Sequence, residues 1–156
     1  WSGSNARFTA FAWNGYQSKV GPLTPNYQIN LINAFKTSKS FAQFLNLLDG
    51  EKAVAAHSMG NIVVSSAMHD WGARPQNYFM LDAAAAKEAY DSREASIGVQ
   101  DASMVHPAWV GYRKELRASE WHSRAWSSGD HRSTLTWKNR FAEVINNDTN
   151  VYNFYS

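Results

Sequence analysis

The sequence predicts an α/β fold: a mostly parallel sheet of about four strands, helices on its faces, and a helical or irregular insertion before the last strand. Three observations carry this. Candidate elements alternate along the chain in the order strand, helix, strand, helix, strand, long insertion with helix, strand. The length of 156 residues is that of one domain, taken here as 1–156. Apolar residues make up 44% and aromatics 14%, which excludes a disordered tail because enough surface can be buried to offset chain entropy.

The first strand is Ala6–Trp13, rich in aromatic and β-compatible residues and ended by Asn14-Gly15, a pair suited to positive φ. A loop with Gly21 and Pro22 follows. Thr24-Pro25 then supplies an N-cap and a proline for the first helical position. Tyr27, Leu31, Ile32 and Phe35 recur at helical spacing, as do Phe41, Phe44, Leu45 and Leu48. These predict a helix over 25–48, with Thr37–Ser40 as the place where it would break and Asp49-Gly50 as its end. The apolar run Ala53–Ala56 is the second strand. After Gly60 the period is helical again, with Ile62, Val63, Ala67, Met68 and Trp71 on one side, Gly72 as the residue beyond the last turn and Pro75 preventing continuation. Asn77–Leu81 is a further buried strand, followed by Asp82 and four alanines. The 83–132 region is polar and irregular, with short helical stretches after Pro107. A last helix, capped by Ser133 or Thr134, places Trp137, Phe141, Val144 and Ile145 on one face, and Val151–Tyr155 forms the final strand.

Charge and composition narrow the function classes. Lys and Arg total 15 against 13 Asp and Glu, a net charge of +2 that demands no polyanionic partner. The absence of cysteine excludes disulfide scaffolds, thiolate zinc sites and cysteine nucleophiles. No apolar stretch approaches the roughly 20 residues needed to span a bilayer, and no basic-then-apolar signal segment opens the chain. The expectation is a soluble chain, with the cytoplasm the favoured compartment. Because residue 1 is Trp rather than Met, a processed, trimmed or partial chain is also expected.

One motif is specific. Ser58, in Ala56-His57-Ser58-Met59-Gly60, falls between a predicted buried strand and a predicted helix. A tight strand-to-helix turn lifts a serine hydroxyl above the carboxyl edge of a sheet, and small flanking residues let the backbone pass. The same turn puts the Met59 N–H at a helix N-terminus, where aligned dipoles and an unpaired donor stabilise an oxyanion. Alanine stands at 56 where glycine is commonest, and it is small enough for the turn to survive.

With these residues the sequence resembles the serine lipases and esterases of the α/β-hydrolase family, in its central portion. The likeness covers about 6–82 and resumes at 151–156, leaving 83–150 as a lid-like insertion. It implies a serine hydrolase that cleaves carboxylic esters through an acyl-enzyme on Ser58, with the Met59 N–H in the oxyanion hole. The family order is nucleophile, acid, then histidine. Asp82 matches the acid position used by some lipases, with helix capping as its structural alternative. The base candidates are His131 first, then His122 and His106. His57, next to the nucleophile, should point away along the strand, and His69 should lie on the helix surface. In the family, the usual acid, the histidine and a second oxyanion N–H would lie beyond the two ends of this chain, so a segment of a larger hydrolase is a further expectation.

No cofactor and no metal are implied, since the chemistry needs only side chains and water. Asn147-Asp148-Thr149 fits a glycosylation acceptor, or equally a solvent turn. Over 113–140, Arg113, Lys114, Arg117, Arg124, Arg132, Lys138 and Arg140 interleave with Trp121, Trp126 and Trp137. Because the run is not confined to one helix face, it reads as tryptophans turned to the cleft or core with arginines solvated outside, and no nucleic-acid partner is expected. The expected partner is a small ester or acyl substrate, with homo-dimerisation through exposed sheet edges. The rival reading is a non-catalytic α/β binding or interaction module that keeps the turn as architecture.

Overall fold

The computed structural model describes residues 5–15, 27–86, 89–91 and 139–155. The described elements are helix α1 (Tyr27–Leu47), strand β1 (Ala53–His57), helix α2 (Gly60–Trp71), strand β2 (Asn77–Leu81), the single turn α3 (Ala142–Ile145) and strand β3 (Asn150–Phe154). The strands form a parallel sheet in the order β1-β2-β3, with Val54 opposite Tyr78 and Tyr78 opposite Val151. This is a small α/β arrangement, and the predicted order of helices and strands from α1 to β3 holds.

Helix α1 buries Leu31, Ala34, Ser38, Phe41, Ala42 and Leu45, a stripe of helical period. It runs unbroken through Thr37–Ser40, against expectation. The reason is tertiary: the Ser38 hydroxyl donates to the Phe35 carbonyl at 2.6 Å and accepts from Trp71 Nε1 at 3.0 Å, so it is buried without loss. Helix α2 is buried along its whole first part, Asn61 to Met68, between α1 and the sheet. It ends as predicted at Gly72, whose φ of 67° is left-handed. Beyond it, Ala73 N–H returns to the Ala67 carbonyl at 3.0 Å, and Arg74 Nη1 donates to the Met68 carbonyl at 2.7 Å.

The sheet has two unlike faces. Tyr78 and Met80 of β2 point into the core, fully and nearly fully buried, whereas Leu81 is 38% exposed. The outward row holds the Phe79 and Tyr152 rings, stacked 5.0 Å apart at 13°. β2 therefore alternates instead of being buried on both sides. Phe141, the N-cap of α3, and Val144 within it are buried while Ile145 faces out, which corrects the shared face expected there; Trp137 and the cap candidates Ser133 and Thr134 lie outside the described residues.

Ala6–Trp13, expected as the first strand, has no ladder partner among the described residues. Its Phe11 packs on Phe41 and Phe44 at 5.1 and 5.3 Å, and Asn33 Nδ2 donates to the Asn14 carbonyl at 3.3 Å. Between this segment and the edge of β1 that is unpaired among the described residues lies a cavity of about 560 Å³, lined also by α1 and by Val63 and Val64. Side-chain anchoring holds the segment beside the sheet, while strand pairing would need a backbone ladder as well.

Candidate active site

Ser58 follows the last residue of β1, and Met59 is the N-cap of α2. The φ of Ser58 is +51°, a left-handed conformation that costs a non-glycine residue about 1–2 kcal/mol. The surroundings hold it there. Ser58 N–H donates to the Leu81 carbonyl at 3.0 Å, and the Ser58 carbonyl accepts from Asn61 N–H at 3.1 Å, Asn61 Nδ2 at 3.0 Å and Ala84 N–H at 3.2 Å. A Cβ added to Gly60 would meet Ala56 Cβ at 3.7 Å, an ordinary contact, so alanine fits at 56 with glycine at 60. Among the described residues no acceptor is assigned to Met59 N–H, and that donor stands at the start of a 12-residue helix.

Asp82 follows β2 and is also left-handed, with φ +41°. Its N–H donates to the Phe154 carbonyl at 2.8 Å, and the preceding residue receives the Ser58 N–H. The Ser58 and Asp82 turns are thus neighbours at the carboxyl end of the sheet. The alanines 83–86 form no helix, so the capping alternative for Asp82 has no helix to cap there.

The histidines divide. His57 is exposed, in the outward row with Leu81 and Phe154. His69 is half-buried rather than superficial, its Nδ1 accepting the Glu143 N–H at 3.4 Å. His106, His122 and His131 lie outside the described residues. Of the basic run, Arg140 is described, and it is not simply solvated. It forms a bidentate pair with Asp70 at 2.9 and 2.7 Å and lies over the Phe35 and Phe141 rings at 4.9 and 5.2 Å. Burial works against the charge on Asp70, but hydrogen bonds from Arg140 and Ser66 outweigh it and hold the carboxyl below its ordinary range. Thr149 is buried and donates to the Pro75 carbonyl at 2.7 Å, and its N–H caps Asn147 Oδ1, so Asn147–Thr149 is a turn packed on the fold.

A buried polar network beneath Ser58 has no counterpart among the expectations from sequence. Tyr78 Oη donates to Asn61 Oδ1 at 2.9 Å and lies 3.4 Å from Ser65 Oγ, which in turn is 2.9 Å from Tyr90 Oη. Burial pushes the Tyr78 hydroxyl well above its usual pKa and that of Tyr90 up to about 12. The available signal was Asn61, Ser65 and Ser66 standing among the apolar residues of α2, where each buried polar group needs a partner.

No family model, no curated protein and no solved structure matches this chain. Among the described residues, no helix is long and apolar enough to cross a membrane.

Proposed function

We propose that this chain is a serine hydrolase cleaving carboxylic esters through an acyl-enzyme on Ser58. The observation that carries the proposal is the left-handed turn of Ser58 between the end of β1 and the N-terminus of α2. Ser58 Oγ adds to the ester carbonyl carbon as a base takes its proton, and the carbonyl electron pair moves to oxygen beside Met59 N–H. Collapse expels the alcohol, which receives that proton. Water then attacks the acyl-enzyme by the same route, releasing the carboxylic acid and restoring Ser58. His131 is the first choice of base, followed by His122 and His106, with Asp82 as the acid that orients it.

The proposal extends to the architecture and partners. Ala6–Trp13 closes as a fourth strand onto the edge of β1 that has no partner among the described residues, supported by its anchorage on Phe41 and Phe44 beside that edge. The aromatic-rich 83–140 region sets substrate choice, and a second copy pairs along an exposed sheet edge. The test is labelling with a fluorophosphonate, read by intact mass and peptide mapping. Stoichiometric modification of Ser58, lost in Ser58→Ala, is the expected result; folded protein that takes no label overturns the proposal.

A second reading, a non-catalytic binding module, is favoured by one observation. The Ser58 carbonyl and N–H join β1, α2 and β2, so the turn has structural work to do whatever its hydroxyl does. The same experiment separates the two.

A further inference from the structure

Ser58 and Asp82 end neighbouring parallel strands, both in left-handed conformations that the chain does not adopt unaided. One side chain touches both turns. Asn61 is fully buried, and its Nδ2 donates to the Ser58 carbonyl at 3.0 Å and to the Leu81 carbonyl, immediately before Asp82, at 3.2 Å. The orientation of the carboxamide is set from its other end, where Oδ1 accepts from Tyr78 Oη at 2.9 Å. The hydroxyl that sets it is locked in turn, since Tyr78 is fully buried with Ser65 Oγ within 3.4 Å. Rotating the amide would set Oδ1 against two carbonyl acceptors and forfeit both Nδ2 hydrogen bonds.

We infer that Asn61 is a positioning residue, a carboxamide clamp that fixes the Ser58 turn relative to the Asp82 turn so that nucleophile and acid keep one geometry. The catalytic part of this rests on the hydrolase proposal above; the clamp itself does not. Asn61 is fully buried, and its amide meets the two turns at backbone carbonyls. Its effect runs through two backbone carbonyls, and displacement of a reacting group by about 1 Å costs on the order of 10²-fold in rate.

The test compares the whole chain with Asn61→Asp, which keeps the acceptor for Tyr78 and removes the donor, and with Tyr78→Phe, a milder change that frees the amide and serves if Asn61→Asp fails to fold. Three quantities are read: the fluorophosphonate labelling rate of Ser58, kcat and KM for p-nitrophenyl acetate, and hydrogen exchange of peptides spanning 58–62 and 81–84. The expected result is labelling and kcat lowered about tenfold or more with KM little changed, together with faster exchange at both turns. Folded variants that label and turn over at the parent rate overturn the inference. Should parent Ser58 take no label, the hydrolase proposal falls and the exchange data decide the clamp. Loss of protection at both turns together upholds it, and loss at one or neither overturns it.

Discussion

The N–H of Ser58 donates to the carbonyl of Leu81 at 3.0 Å, so the turn leaving β1 is tied to the last residue of β2 rather than left free above the sheet. A left-handed serine is stable here because both of its backbone groups are held, the N–H by Leu81 of β2 and the carbonyl by Asn61 of α2 and by Ala84. The strain therefore has a measurable consequence. Ser58→Gly relieves the left-handed penalty while Ser58→Ala retains it, so the glycine variant should exceed the alanine variant by about 1 kcal/mol in urea unfolding. Equal midpoints would mean that the turn relaxes when the hydroxyl is removed.

The Asp70–Arg140 pair makes stability depend on acidity. The native pKa of Asp70 is lowered, so its contribution is complete above the ordinary value of about 3.9 and is lost as pH falls from there through the lower native value. Arg140→Ala should flatten that acid limb and cost about 1 kcal/mol near neutrality, the modest figure reflecting partial exposure of both groups. Urea midpoints of parent and variant, measured as a pH series, check both the slope and its removal.

At the other end of the scale, the buried tyrosines should limit alkaline stability. Burial raises the native pKa of both above the ordinary value, that of Tyr90 up to about 12, while the unfolded chain ionises near 10. Between those values the unfolded state has released protons that the native state keeps, so stability falls as pH rises. Tyr90→Phe should reduce this loss. Tyrosinate absorbance in the native protein should show two residues that titrate late, and a single early titration would contradict the burial of this network.

Packing of the 139–145 segment rests on Phe141, which is fully buried with Phe35 and Tyr90 at ring separations of 6.1 and 5.6 Å. Phe141→Ala should cost about 3–5 kcal/mol by thermal or urea unfolding. Tyr152→Ala removes a stacked ring that is 44% exposed and should cost about 1 kcal/mol. Similar losses for the two would mean that the outward face of the sheet is covered.

Local signals sufficed for much of this fold. The end of α2 was legible because Gly72 can take a positive φ that other residues resist, and the Ser58 turn because Ala56 and Gly60 leave room for the backbone. α1 was legible from its hydrophobic period, and β1, β2 and β3 from short apolar or aromatic runs, signals that depend on residues a few positions apart. Wherever the outcome depended on distant partners, the tertiary structure decided. Ser38 looked like a helix break and is instead a helical residue, because Trp71 meets its hydroxyl 33 positions away. Arg140 reads as a solvated charge until Asp70 is brought to it across 70 positions. Ala6–Trp13 has the composition of a strand, but composition supplies no ladder partner. Asn61 looks ordinary in sequence, and only the juxtaposition of β1 and β2 places two carbonyls before its amide. Period and turn chemistry are properties of a short stretch of chain, whereas satisfying a buried polar group is a property of what the fold packs against it.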